Sequence, residues 1–294
     1  MRAVSIDAGG FARWRRRPLP ATVHSVFERV INLQAGDGAI FAVAAAGVDD
    51  APDTLVADGP LAAPGIAPGD AVEADGERIV AGSAIELVLA GARPWRAVLP
   101  AYPADDRRLR GNVAAVRQTL ARTCSPGIPS SPLGGELARL LAYRCEQLVA
   151  ALARGDLDTA ARHGRAMLGL GPGLTPSGDD FLAGLLATLH LPGGPGQAVR
   201  EFGALLVTHA GDRTNAISVA MLRAAAQGRV RECVIALLRE LVAGDADGVA
   251  AALSRVLAIG STSGGDMAAG IAAAFDLQAR LARASRPERA VFLA

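Results

Sequence analysis

Short runs of apolar and branched residues fill the first hundred positions of the chain. Four of them, at residues 24–33, 39–45, 77–82 and 84–92, have the length of single strands and are rich in Val, Ile and Leu. Gly-Asp turns such as AGDG and PGD separate these runs. The pattern predicts a small β-barrel or β-sandwich domain over residues 1–102.

The spacing of apolar residues changes after this point. Residues 103–132 combine one helical stretch with the proline-rich break PGIPSSP, which is typical of a connecting segment. From residue 133 to residue 294 apolar side chains recur at helical spacing, and Gly-Asp stops interrupt them. We therefore predict an α+β protein in which an N-terminal β domain is followed by an all-helical C-terminal domain.

Composition narrows the classes of partner. The chain has 294 residues, with 30 Lys and Arg against 29 Asp and Glu, so the charge balance indicates neither nucleic acid nor a membrane surface as a partner. No lysine is present, which excludes a lysine Schiff base and a P-loop lysine. No stretch approaches the ~20 apolar residues of a membrane span, and no signal-peptide pattern follows the first arginines. We predict a cytoplasmic protein.

One stretch combines unusual residues: GLGPGLTPSGDDFLAG, residues 169–184. Its second half, Ser177–Gly184, aligns without a gap over Ser263–Gly270, SGGDMAAG. Ser, Gly, the second Asp, Ala and the final Gly match, and Phe stands opposite Met. Each copy follows a turn of Gly, Thr and Ser and precedes a run of small residues. We interpret the two copies as a repeat, and the small residues at their ends predict close approach of another helix.

Helix capping is the simplest interpretation of the repeat. Ser177 and Ser263 can act as N-caps, with Asp180 and Asp266 completing capping boxes three residues later. The carboxylates also suit the positive end of a helix dipole. Capping does not explain the eight preceding residues GLGPGLTP, because a cap requires only one residue.

Anion binding is the alternative interpretation. A glycine-rich loop that enters a helix offers several free N–H groups to a phosphate or carboxylate. We predict that both helix starts meet around one pocket, with catalytic roles for Asp179, Asp180 and Asp266. The predicted substrate- or phosphate-binding residues are Gly171, Gly173, Thr175, Ser177, Gly178, Arg213, Asn215, Thr262, Ser263 and Gly264. No cofactor is certain, but Asp179 and Asp180 could hold Mg²⁺ between protein and phosphate oxygens.

The segment between the two copies adds a cation. Arg213 precedes a predicted helix that Thr214 or Asn215 could cap, and arginine binds carboxylate and phosphate in a bidentate manner. A surface arginine in an interhelical turn is an equal alternative. His209 could act in acid–base chemistry, although a helix-end or core histidine is the commoner case.

Together these motifs resemble the AllH-like family, which is linked to the third subunit of oxamate carbamoyltransferase in anaerobic allantoin breakdown and purine nitrogen catabolism. The resemblance lies in GLGPGLTPSGDDFLAG, in Thr214–Ser218 and in Gly260–Asp266. It implies exchange of oxalurate and phosphate with oxamate and carbamoyl phosphate, in a complex with partner subunits. The chain lacks the STRTR phosphate loop of ordinary carbamoyltransferases, so carbamoyl phosphate would meet a different architecture here.

Three functions remain open at this point. The chain could be an enzyme subunit that binds a small anion such as phosphate, carbamoyl phosphate, oxamate or oxalurate. It could be a non-catalytic scaffold or regulatory subunit, in which the repeated turns are caps and the small-residue helices form an interface. It could also be a stand-alone Mg²⁺-dependent phosphotransferase or hydrolase. Partner subunits are expected for the first two, and the sequence leaves room for a homo-oligomer.

Overall fold

The structure, a computed structural model, describes residues 1–9, 12, 20–61, 65–123 and 132–284. The chain divides into two compact units, each described here by itself. The β unit consists of Met1–Val98 and Arg229–Ile235, and the helical unit consists of Leu99–Gly228 and Ala236–Ala294. The short segment 229–235 therefore belongs to the β unit, although it lies within the helical stretch of the sequence.

The β unit is built from short strands connected by tight turns. Nine strands lie in its described part: β1 (Ala3–Asp7), β2 (Ala21–Val26), β3 (Val30–Ala35), β4 (Ile40–Ala44), β5 (Thr54–Ala57), β6 (Ala71–Ala74), β7 (Arg78–Ala81), β8 (Ile85–Val88) and β9 (Arg93–Trp95). They form one sheet in the order β8-β7-β6-β2-β3-β4-β5-β1-β9. The β4–β5 and β1–β9 pairs are parallel, and the other pairs are antiparallel.

This sheet curls on itself into a half-barrel. The N–H of Val88 donates to the carbonyl of Met1 at 3.0 Å, which links β8 to the start of β1. Alternate side chains point inward, as in β7, where Ile79 and Ala81 are buried and Arg78 is exposed. The core is aliphatic, with Leu33 and Leu55 fully buried.

Arginine–aspartate pairs hold the segment 229–235 in the β unit. Arg229 pairs with Asp7 at 2.5 Å, and the Arg231 guanidinium binds the carboxylate of Asp49, with Nε 3.0 Å from Oδ1. The N–H of Cys233 donates to the other Asp49 oxygen at 2.9 Å. Burial acts to raise the pKa of Asp49, but the hydrogen bonds and charge of Arg231 outweigh it and lower that pKa.

Helices make up the second unit. In the described residues they are α1 (Arg107–Thr123), α2 (Pro132–Ala153), α3 (Leu157–Arg165), α4 (Ser177–Leu189), α5 (Glu201–Val207), α6 (Ala216–Ala225), α7 (Glu232–Ala243), α8 (Ala246–Leu257) and α9 (Ser263–Ala284). The first four residues of α7 belong to the β unit. Short 3₁₀ helices cover Pro195–Val199 and Ala210–Asp212. The predicted α+β architecture with a helical C-terminal half is confirmed.

Helix α4 lies at the centre of the helical unit. All thirteen of its residues are buried, which is why its sequence is apolar on every side after the first turn. Its main packing partner is α9, whose buried residues include Met267, Ile271 and Phe275. None of the helices in the described part of the chain is long and apolar enough to cross a membrane.

Candidate functional site

The first glycine-rich stretch forms an irregular loop, Gly169–Pro176, that leads directly into α4. Gly169 and Gly171 have φ of 72° and 126°, in the left-handed range that favours glycine. A Cβ on Gly169 would lie 2.3 Å from the carbonyl oxygen of Arg213, and one on Gly171 would lie 2.6 Å from the nitrogen of Ser177. Both positions therefore require glycine for space as well as for conformation.

This loop leaves a row of backbone donors free. Among the described residues, the N–H groups of Gly171, Gly173, Leu174 and Thr175 donate no hydrogen bond, and Gly173 and Leu174 are exposed. Backbone N–H groups are strong donors that are nearly always paired with protein, water or ligand. The loop thus offers four donors ahead of a helix N-terminus.

A second loop, Gly260–Thr262, repeats this construction ahead of α9. The N–H of Gly178 donates to Leu170 O at 2.9 Å, and the N–H of the equivalent Gly264 donates to Ile259 O at 3.0 Å. Cβ atoms on Gly178 and Gly264 would lie 2.1 Å and 1.9 Å from carbonyl oxygens of the preceding turns. The same residue of each copy therefore anchors the loop to its helix, which supports the interpretation of the two copies as a repeat.

The two repeated helices start together and run side by side. A Cβ on Gly184 would lie 2.1 Å from Met267 O, and one on the equivalent Gly270 would lie 2.0 Å from Phe181 O. These reciprocal contacts place the two copies of the repeat in register. The two helices run in the same direction, since Ser263 contacts Thr175 just before α4 whereas Gln278 donates to Thr188 O near the end of α4. Each of the two small residues accommodates the other copy of the repeat.

Hydroxyl and carboxyl groups meet where the two helices begin. Thr175 Oγ1 donates to Asp180 Oδ2 at 3.0 Å and lies 2.8 Å from Ser263 Oγ, which belongs to the other copy. Burial, together with the charges of Asp266 and Asp179, raises the pKa of Asp180 to about 7, and hydrogen bonds from Ser263 and Thr175 act in the opposite direction. The predicted convergence of the two helix starts is present in the structure.

Asp266 is the residue of the second copy that is equivalent to Asp180 in the first copy. Burial raises its pKa, and hydrogen bonding to the hydroxyls of Ser177 and Thr262 acts in the opposite direction. Its Oδ2 is buried and has no hydrogen-bond partner among the described residues. Each copy of the repeat thus places its aspartate next to the serine of the other copy.

This cross-pairing corrects the capping-box prediction for α4. Ser177 is the first helical residue and not the N-cap; that position belongs to Pro176, and no side chain caps the helix. Asp180 is bonded to Thr175 instead of completing a box with Ser177. The physical reason is the neighbouring helix, whose serine and aspartate lie within reach and replace the local capping partners.

Asp179 points away from this cluster. It is completely buried; Oδ1 accepts the N–H of Gly169 at 3.0 Å, and Oδ2 accepts the hydroxyl of Thr214. Burial raises its pKa, although the hydrogen bonds from Thr214, Gly169 and Ser218 favour the ionised form. Both oxygens are occupied by protein donors. Within the described ranges, no three His, Cys, Asp or Glu side chains are grouped closely enough to hold a metal ion.

The segment between the two copies reaches the loop through its backbone and its amide. Asn215 is the N-cap of α6, and its Oδ1 accepts the N–H of Ser218 at 3.0 Å, as one of the two sequence alternatives predicted. Its Nδ2 donates to Leu174 O at 2.7 Å. The Arg213 side chain is exposed and forms no ion pair in the described part of the chain. His209 lies at the turn before the 3₁₀ helix Ala210–Asp212, outside these contacts.

Two features of the site escaped the sequence reasoning. The sequence pattern predicts Thr214 as a possible cap and as part of the motif Thr214–Ser218, whereas in the structure its hydroxyl binds Asp179. Cys145, on α2, is influenced by the charge of Asp266, and burial raises the pKa of its thiol to about 12. A thiol of that kind stays protonated at neutral pH, so Cys145 is not an activated nucleophile. Neither feature has a signal in the sequence, because both depend on contacts between distant segments.

The electrostatics of the site are unusual. Asp179, Asp180 and Asp266 form no ion pair with any described residue, and their compensation comes from hydroxyl groups, one backbone N–H and the starts of two helices. The site therefore places free N–H donors on the first loop next to carboxyl groups at the helix starts, of which Asp179 and Asp180 are buried.

Two family models match the chain. The model of the AllH family N-terminal domain matches residues 2–94, and the model described as oxamate carbamoyltransferase subunit AllH matches residues 167–275. The second match contains both glycine-rich loops, all of α4 and the first half of α9. No solved structure gives a significant match to the chain.

Proposed function

The chain belongs to the AllH family, and on that premise we propose that it supplies a substrate site to an oxamate carbamoyltransferase that it forms with partner subunits. The ligand is a small anion that also carries a carbamoyl or primary amide group. Carbamoyl phosphate, oxamate and oxalurate all meet this description. The proposal places the chain in allantoin and purine nitrogen catabolism.

One observation carries the proposal: two equivalent helix starts meet, with free backbone donors on one side and carboxyl groups on the other. The loop N–H groups of Gly171, Gly173, Leu174 and Thr175 are suited to phosphate or carboxylate oxygens. The carboxyl oxygens of Asp180 and Asp266 are suited to the N–H donors of a carbamoyl or amide group. A bare inorganic anion would use only half of this arrangement.

Each residue of the site has a proposed role. The first loop binds the phosphate or carboxylate, with Arg213 available from the surface as a counter-charge. The hydroxyls of Thr175, Ser177, Thr262 and Ser263 orient the carbamoyl group. Asp180 and Asp266 are the proposed catalytic residues.

Asp180 has a pKa suited to proton transfer. In the direction that makes oxalurate, the oxamate nitrogen bonds to the carbamoyl carbon, the bond from that carbon to the phosphate oxygen breaks, and the nitrogen loses a proton. We propose that Asp180 receives this proton, since a group with a pKa of about 7 can accept and release protons at neutral pH. The remaining catalysis comes from positioning and from stabilisation of the departing phosphate.

A scaffold role is the second candidate, and the helix packing favours it. The reciprocal contacts of Gly184 and Gly270 and the cross-paired Ser and Asp residues would hold α4 and α9 together without any ligand. On that view the chain contributes only a rigid surface to its partners. The two candidates differ in whether the isolated chain binds a small molecule.

Thermal unfolding of the purified chain tests the proposal. Phosphate, carbamoyl phosphate, oxamate and oxalurate are added separately, each with and without Mg²⁺. A ligand at about 100 times its Kd stabilises the protein by about 2.7 kcal/mol. We expect carbamoyl phosphate or oxamate to raise the Tm of the wild type more than phosphate does.

Gly173→Ala is the matching variant, because Gly173 has a φ of 102° and its added Cβ would meet no atom closer than 3.7 Å. It disturbs the loop conformation without a clash, so we expect the ligand-induced shift to disappear. The absence of a shift with every ligand, for the chain alone and with its partner subunits, would favour the scaffold role. A ligand-induced rise in Tm that requires Mg²⁺ would indicate that Asp180 binds the metal.

A further inference from the structure

The segment Thr214–Ser218 and the residue before it contact the first glycine loop at two places, one at the start of the loop and one near its tip. At the near end, the backbone of Arg213 packs against Gly169, and Thr214 donates its hydroxyl to Asp179, which also accepts the N–H of Gly169. Asp179 thus connects the start of the loop to the start of α6. Its complete burial makes this connection inaccessible to a ligand.

At the far end, Asn215 holds the tip of the loop. Its Nδ2 donates to Leu174 O at 2.7 Å, although Leu174 is 60% exposed. Among the described residues this is the only hydrogen bond that Leu174 forms. Leu174 itself is therefore held by one side-chain amide, whereas the next residue, Thr175, is held by Asp180 and Ser263.

Asn215 is engaged with the protein through both polar atoms of its side chain, which leaves one N–H and one oxygen lone pair of the amide unused. Its Oδ1 accepts the N–H of Ser218 at 3.0 Å as the N-cap of α6, and its Nδ2 is bonded to the loop. Both polar atoms of the side chain have protein partners. The same holds for the hydroxyl of Thr214, which is bonded to Asp179.

We propose that Thr214 and Asn215 are positioning residues: they clamp the glycine loop in the conformation that leaves its N–H groups free, and they do not touch the ligand. The effect on ligand affinity rests on the proposed function, whereas the effect on the loop does not. Loss of the clamp lowers the fraction of molecules with a binding-competent loop, and the apparent Kd rises in proportion.

Asn215→Ser separates the two tasks of this residue. Serine is as good an N-cap as asparagine, but its short side chain cannot reach Leu174 O. Asp245→Ser is the matched control, because Asp245 caps α8 by accepting the N–H of Gly248 at 2.9 Å and contacts neither loop. We expect nearly the same Tm for the wild type and both variants.

Backbone ¹⁵N relaxation of the ligand-free chain gives the direct measurement. Rigid backbone has order parameters of about 0.85 and flexible backbone falls below about 0.6. We expect the order parameters of Gly173 and Leu174 to drop in Asn215→Ser, while that of Ser218 stays high and Asp245→Ser matches the wild type. Unchanged order parameters at Leu174 in Asn215→Ser would overturn the clamp, whatever the ligand data show.

Thr214→Val, with Thr214→Ser as its rescue, repeats the test at the other end of the loop. We expect valine, and not serine, to mobilise Gly169 and Gly171; if neither variant does so, the clamp is wrong at this end. Titration with carbamoyl phosphate then measures affinity, which we expect to weaken about three- to ten-fold in Asn215→Ser. If the loop is mobilised but the wild type binds none of the proposed ligands, the clamp stands and the proposed function fails.

Discussion

Two aspartates of the β unit have cationic partners, whereas the three aspartates of the site in the helical unit have none among the described residues. In the β unit, Asp7 and Asp49 pair with Arg229 and Arg231. In the helical unit, Asp179, Asp180 and Asp266 form no ion pair with any described residue, and the pKa of each is raised by burial. Burial of a charge costs free energy unless the charge is paired. The ion pairs of Asp7 and Asp49 hold the segment 229–235 in the β unit. The three aspartates of the site are buried or partly buried without such a pair in the described part of the chain, so their burial costs free energy that no ion pair offsets.

The paired and the unpaired acids also make the free energy of unfolding depend on pH in opposite directions. The pKa of Asp49 is lowered on folding, so its contribution to stability is present above its ordinary pKa of 3.8 and is lost as pH falls through the folded value. The pKa of Asp180 is raised from 3.8 to about 7, so its ionisation removes stability as pH rises between these two values. Perturbed acids of the second kind concentrate at functional sites.

Removal of the paired cation should have the largest effect. Arg231→Met keeps the apolar stem but leaves Asp49 partly buried without its counter-ion, and we expect a loss of about 2–4 kcal/mol at pH 7. Chemical denaturation measures it. Arg78→Met is the control, because Arg78 and its partners Asp75 and Glu86 are more than half exposed and such pairs contribute little to stability. Equal losses in the two variants would remove the distinction between buried and exposed pairs.

Separation of the two helix starts should have the next largest effect. The Cβ of Gly184→Ala would lie 2.1 Å from Met267 O, so α4 and α9 must move apart, and we expect a loss of about 1–3 kcal/mol together with a lower pKa for Asp180. Gly111→Ala in α1 provides the control, since an added Cβ there meets nothing within 4 Å. Alanine at that helical position should stabilise by about 0.5–1 kcal/mol. Stabilisation by both variants would contradict the close contact.

Neutralisation of the unpaired acid should change stability no more than separation of the helices does, and with the opposite sign. Asp180→Asn removes a carboxylate that is ionised above pH 7 in the wild type, and we expect a gain of about 1–3 kcal/mol at pH 8. At pH 4 the gain should vanish, since the wild-type group is then protonated. Unfolding curves at both pH values check this, and turnover by the complete complex should be lost. A stability difference that is independent of pH would show that Asp180 is not the titrating group.

The sequence anticipated much of the site because its pattern is local. The Gly-Asp turns predicted the β unit, and the shared Ser-Gly-x-Asp motif identified both helix starts and their small residues, since a turn or a close helix contact restricts the residue types directly. The capping box was wrong for Ser177, because a local rule cannot anticipate a neighbouring helix that supplies other partners. The roles predicted for Arg213 and for Mg²⁺ remain untested hypotheses.

By itself, the sequence determined that the first part of the chain is β and the second part helical, where glycine is required and which two segments repeat. Only the tertiary structure decided which acids lie together, that Asp179 faces Thr214 while Asp180 faces Ser263, and that residues 229–235 join the β unit. The physical reason is the separation along the chain over which each kind of interaction acts. Turn conformation and helical periodicity act between residues a few positions apart, whereas burial, the pKa of a carboxyl group and cross-helix hydrogen bonds depend on residues that are 35 to 88 positions apart in the chain.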